Sequence, residues 1–157
     1  MSASSASLAV ETGCCTATAA GAIRNDDALV SIAGLSASPL EGNSGTTTAS
    51  FVLTLSGDTT VSHSVAYGVS GAGANPASAD DFTSGVLPSG IVTFAIGETS
   101  KTISVLVAGD TTVEPDETYA VGLSTPSAGL TMGTATAVGT IRKAVGTLLD
   151  KGVVTDA

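Results

Sequence analysis

Residues 105–123 read VLVAGDTTVEPDETYAVGL, two strand-like runs on either side of a loop that carries Asp110, Glu114, Asp116 and Glu117. Four of the chain's fourteen acids fall within those eight positions, with no Lys or Arg among them. Carboxylates so close together repel one another unless solvent or a cation intervenes. The stretch therefore reads as strand, acidic loop, strand, and the rest of the chain as the scaffold that holds this loop and supplies what completes it.

The 157 residues are enough for one domain with a real core and too few for two of ordinary size. Ala, Thr, Ser, Gly and Val predominate, with no Trp and only five aromatic residues. Small and β-branched side chains suit a thin sandwich of strands, whereas a helical bundle would draw on Leu, Glu and Lys. The expected class is all-β. Five basic residues and a net charge of −9 argue against nucleic acid, because a phosphate backbone is bound by clustered Lys and Arg. The acidity suits cations, or solubility in an extracellular or saline setting.

Outward from the acidic loop, short β-branched runs are separated by turn residues at the spacing of a sandwich. Residues 29–34 and 36–40 make a broken first strand, and 41–45 (EGNSG) a turn. Residues 49–55 (ASFVLTL) alternate with period two, which places Phe51, Leu53 and Leu55 on one face. Residues 61–69 alternate likewise, with Val61, His63, Val65, Tyr67 and Val69 on one side. A lone His on such a face is expected to be a hydrogen-bonded interior residue rather than a ligand. A long loop follows, residues 70–85, with Gly71, Gly73, Pro76 and the pair Asp80-Asp81. Residues 90–96 and 101–107 flank Gly97-Glu98-Thr99 as an expected hairpin. Residues 118–124 and 133–142 complete about seven strands.

The chain also echoes itself. Residues 16–25 read TATAAGAIRN and residues 134–143 read TATAVGTIRK, seven matches in ten positions. This is the pattern of the last strand of a repeat unit, seen twice. Residues 1–27 are then an N-terminal segment ending a preceding repeat, 28–143 one whole sandwich, and 144–157 a C-terminal tail. Cys14 and Cys15 are adjacent, with no third cysteine to bridge to, and read as small apolar residues on a strand or as candidates for intermolecular pairing. No apolar run approaches the ~20 residues of a membrane span, so no membrane insertion is expected. The opening MSASSASLAV lacks the basic and apolar segments of a signal peptide.

Taken in order, these pieces resemble the Calx-beta domain of sodium/calcium exchangers, integrin beta chains and bacterial surface proteins. The turn Glu41-Gly42-Asn43-Ser44-Gly45, the strand at 49–55, Val65-Ala66-Tyr67, Ala79-Asp80-Asp81-Phe82, residues 91–97, residues 110–119 and Gly139-Thr140-Ile141 each match a family element. The resemblance covers roughly residues 30–143. It implies an immunoglobulin-like β-sandwich of about seven antiparallel strands, many of whose members bind Ca2+ at one end through loop acids. By position it nominates Glu41, Asp81, Asp110, Glu114 and Glu117 as calcium ligands, with Asp80 and Asp116 in reserve. Calcium takes six to eight hard oxygens in irregular geometry, which loop carboxylates and carbonyls supply, while Zn²⁺ would want His or Cys nearby.

One departure stands out. In calcium-binding members acids follow the closing strand, whereas here Lys143-Ala144-Val145 follow it; the earlier copy keeps its acids, at Asp26 and Asp27. An unpaired last strand is an edge on which another chain can pair. Residues 16–27 are therefore expected to add to a neighbouring copy, carrying Asp26 and Asp27 towards its acidic loop and linking copies head to tail into fibres or rings. The leading functional expectation is a non-catalytic, calcium-binding structural or adhesion module, secreted or on a cell surface. The alternative is a self-assembling filament or virion building block. An enzyme is disfavoured, with one His on an apolar face, no nucleophile elbow and no aromatic platform for sugars.

Overall fold

Strands follow from the period-two patterns, and the computed structural model describes them over residues 26–143. They are β1 (Ala28–Ser36), β2 (Thr46–Gly57), β3 (His63–Ala72), β4 (Ser89–Phe94), β5 (Ser100–Ala108), β6 (Glu117–Ser124), β7 (Leu130–Met132) and β8 (Thr136–Ile141). Two four-stranded sheets result, in the orders β5-β2-β1-β7 and β4-β3-β6-β8. The inward sets are those the alternation dictates: Ala49, Phe51, Leu53 and Leu55 of β2, Ile103, Val105 and Val107 of β5, Val65 and Val69 of β3, and Tyr119, Val121 and Leu123 of β6. Facing one another, they form the core of an all-β sandwich.

At one end of this core, three rings interlock. Tyr119 meets Phe51 at 5.9 Å and Phe82 at 5.7 Å between centroids, both edge to face, a favoured geometry for aromatic pairs. Burial pushes the Tyr119 hydroxyl up to about 12, and it donates to the Ala37 carbonyl at 3.3 Å. His63 is buried, with Nε2 at 3.1 Å from the Asp58 carbonyl oxygen, in keeping with an interior hydrogen-bonded histidine.

Three details differ from the sequence reading, and the expected break in the first strand is present. Residues 90–96 and 101–107 do not pair as a hairpin: β4 pairs with β3, β5 pairs with β2, and the link between them crosses from one sheet to the other. Alternation along a strand reports which face is buried, not which strand lies beside it, so a corner and a hairpin look alike. The short β7, between the last two expected strands, pairs parallel with β1 over three residues, too few for any periodicity to show. Val61 lies outside β3 and is half exposed. The break in the first strand is a register shift between Gly34 and Ser36, after which Leu40 leaves β1's sheet to bridge Arg142, next to β8. Residues 1–25 and 144–157, with Cys14, Cys15 and the first copy of the repeated strand, lie outside the described residues.

Register decides which loops meet. Thr46 of β2 pairs with Ala108 of β5, and Glu117 of β6 pairs with Ile141 of β8. The turn before β2, the loop between β5 and β6, and the exit of β8 therefore share one end of the sandwich.

Candidate metal centre

Backbone contacts lock the loops of that end together. Gly109 donates to the Gly45 carbonyl at 2.9 Å, and a Cβ on Gly109 would stand 2.5 Å from the Gly42 carbonyl oxygen, so only glycine lets the two loops approach this closely. Glu41 donates its N–H to the Arg142 carbonyl at 2.8 Å, and its Oε1 accepts from the Asp110 N–H at 3.3 Å. Asp110 turns the loop by accepting from the Thr112 N–H at 2.8 Å.

Asp81 arrives from the long loop between β3 and β4. There Ser78 caps a single 3-10 turn, Ala79–Asp81. Its N–H and hydroxyl both donate to Asp81 Oδ2, at 2.6 and 3.0 Å, a reciprocal box that fixes the carboxylate. The next residue, Phe82, is buried against Tyr119 and bridges Val107 of β5. The aromatic cluster thus anchors the turn that presents Asp81.

Five of the acids named from the sequence, Glu41, Asp81, Asp110, Glu114 and Glu117, divide into two overlapping groups at this end. Asp81, Glu114 and Glu117 each offer one carboxylate oxygen, and these oxygens lie within 4.8 Å of one another. Glu117 Oε2 is buried with no hydrogen-bond partner among the described residues. Burial, then a side-chain hydrogen bond with Asp81 and the charges of Asp81 and Glu114, push Glu117 up to about 7, against a smaller pull down from Lys143. The second group is Glu41, Asp110 and Glu114, and Lys143 reaches into it. The Lys143 ammonium touches Glu41 Oε2, lies 2.9 Å from Glu114 Oε2 and lies 3.8 Å from Asp110 Oδ1. Burial draws the Lys143 ammonium down, but its contacts with Glu41 and Glu114 outweigh that and hold it above the ordinary lysine value.

Asp26 and Asp27 do not join this end of their own chain. They lead into β1 where Ala28 pairs with Gly57, at the opposite end of the sheet from Ala108 and the acidic loop. Asp80 and Asp116 are exposed, and Asp116 Oδ1 accepts from the Lys143 N–H at 3.1 Å, which seats the lysine. What the sequence reading missed is that Lys143 points into the acids rather than merely standing where further acids were expected. The sequence carries only a basic residue after the closing strand; that it faces the acids follows from the register that pairs Ile141 with Glu117.

The donor set of the first group is all oxygen and suits a hard divalent cation. The orphaned Glu117 Oε2 fits the same reading, because a buried carboxylate oxygen without a donor wants a proton or a cation.

Comparisons agree with this architecture. A family model described as the Calx-beta domain matches residues 26–151. Among solved structures, the apo-form Calx CBD1 domain is similar at 21% identity and a TM-score of 0.56, over 73% of this chain and 97% of that one. The Calx CBD2 domain is similar at 14% identity and a TM-score of 0.57, over 80% of this chain and 93% of that one. The calcium binding domain CBD12 of CALX1.1 is similar at 20% identity and a TM-score of 0.52, over 71% of this chain, which spans only 44% of that structure. No curated protein sequence matches the chain. With a family model covering most of its length and the sandwich of that family in its fold, the chain belongs to the Calx-beta domain family.

Proposed function

We propose that this chain is a non-catalytic structural or adhesion module of an extracellular surface or assembly, and that its acidic end holds calcium through Asp81, Glu114 and Glu117. The observation that carries the reading is the convergence of those three carboxylates within 4.8 Å around a buried, unpartnered Glu117 oxygen. Calcium supplies charge neutralisation there: it ties the loop between β5 and β6 to the 3-10 turn after β3 and stiffens one end of the sandwich. The likeness to CBD12 of CALX1.1, a calcium binding domain, supports the choice of metal.

Thermal melting with calcium and with chelator tests it. A cation at 100 times its Kd adds about 2.7 kcal/mol to the folded state, and Glu117→Ala abolishes the shift. A chain that melts identically in millimolar calcium and in chelator does not have this function.

A second reading rests on the repeated strand. β8 is the edge of its sheet, and residues 16–25 repeat its sequence with Asn25 at the place of Lys143 and Asp26 and Asp27 just beyond. Donated to a neighbouring copy in β8's register, that segment carries two further acids to the neighbour's acidic end and builds a head-to-tail filament. Gel filtration and electron microscopy of the full chain and of a chain lacking residues 1–27 decide it; assemblies that survive the deletion rule strand exchange out.

A further inference from the structure

We infer that Lys143 is this domain's built-in cation: its ammonium fills the half of the acidic end bounded by Glu41, Asp110 and Glu114, leaves room for one divalent cation at Asp81, Glu114 and Glu117, and excludes a second. The inference deepens the calcium reading above and rests on it for the identity of the first ion.

Geometry carries the argument. A lysine side chain at the exit of an edge strand ordinarily runs its stem along the surface and puts its ammonium in water. Here the side chain is 12% exposed and faces a Glu41 side chain that is 2% exposed. Three carboxylates from two loops converge on one nitrogen. An ammonium is a compact point charge with three rotatable donors on a flexible stem, so it can sit where a metal ion would. A calcium ion entering this half would need the same Glu41, Asp110 and Glu114 oxygens. The ammonium and the ion cannot both have them.

Charge explains what the lysine does there. Five carboxylates crowd this end, and Glu41 is too buried for water to screen it. Lys143 satisfies that demand permanently and without free metal. Glu114 belongs to both groups, touching Lys143 while its carboxylate completes the trio with Asp81 and Glu117. The lysine therefore also draws on a ligand of the remaining site and weakens it. The first copy of the strand differs at this position: Asn25 stands where Lys143 does, followed by Asp26 and Asp27.

Calorimetric titration of the full chain with calcium chloride, after stripping with chelator, tests the inference on three proteins. The wild type and Lys143→Arg take one calcium per chain; Lys143→Gln takes two and binds the first more tightly. Should Lys143→Gln unfold without calcium, the ions bound per refolded chain, counted by atomic absorption after gel filtration, read the same number. One calcium in both wild type and Lys143→Gln overturns the lysine inference and leaves the reading of Asp81, Glu114 and Glu117 standing. None in the wild type and one in Lys143→Gln overturns that reading and supports the lysine. None in either overturns both.

Discussion

The Lys143 ammonium lies against the Glu41 carboxylate, and both side chains are nearly closed to water, at 12% and 2% exposed. Pairs this deep pay desolvation on both sides, so removing one partner does more damage than removing both. In chelator, Lys143→Met is expected to cost about 3–5 kcal/mol because it strands a buried charge. Glu41→Leu combined with Lys143→Met is expected to lose less than the two single changes added together. Urea denaturation of the four proteins measures the coupling. Strict additivity would mean that the pair is not coupled.

Gly139 of β8 pairs directly with Tyr119 of β6, whose ring covers it. A Cβ on Gly139 would stand 2.5 Å from the Tyr119 hydroxyl oxygen and 2.7 Å from the Ala37 carbonyl oxygen. Gly139→Ala therefore overpacks the aromatic cluster beneath the site and is expected to cost about 1–3 kcal/mol. Gly68→Ala is the control, since nothing lies within 4 Å of its added carbon and its φ is ordinary; it is expected to stay within about 0.5 kcal/mol of wild type. Equal losses at the two positions in thermal melts would reject the steric account.

The sandwich was legible because its causes are local. Alternation marked Phe51, Leu53 and Leu55 as inward, and the ordered turns and acids at 41–45, 79–82 and 110–119 carried the family resemblance. Adjacency was not legible, because β4 and β5 alternate equally well as partners or as members of opposite sheets. The site was half legible for a related reason. Five acids could be named by position, but whether an acid meets a metal, a proton or a lysine depends on three loops whose contact is set by register across both sheets. Nothing near Glu41 in the sequence says that Lys143, at the far end of the domain, will face it. Asp26 and Asp27 were named from the repeat alone, and within one chain the register carries them to the other end.

Glu117 makes stability depend on pH. Its carboxyl stands at about 7 in the folded chain against an ordinary 4.5. Between those values the folded state keeps a proton that the unfolded state has released. Its contribution is therefore fully present below about pH 4.5 and is lost as pH rises through 7. In chelator, the wild type is expected to melt at progressively lower temperature across that window relative to Glu117→Gln, which has no proton to lose. If the difference between the two melting curves does not change with pH, the proton is held elsewhere.

Asp81 separates the metal's need for charge from the fold's need for a hydrogen-bond acceptor. Its Oδ2 closes the Ser78 box, a task that an amide oxygen can also perform. Its charge, by contrast, opposes Glu117 and Glu114 across less than 4.8 Å. Asp81→Asn is thus expected to preserve the 3-10 turn and, in chelator above about pH 7 where Glu117 has lost its proton, to stabilise the chain by about 1 kcal/mol, the repulsion of two unit charges roughly 4 Å apart in a water-like medium. In calcium the order reverses, because the variant offers the ion one carboxylate fewer and gains less from it. Melting both proteins in chelator and in calcium gives all four values. A variant that is weaker than wild type in both conditions would make Asp81 a structural cap and nothing more.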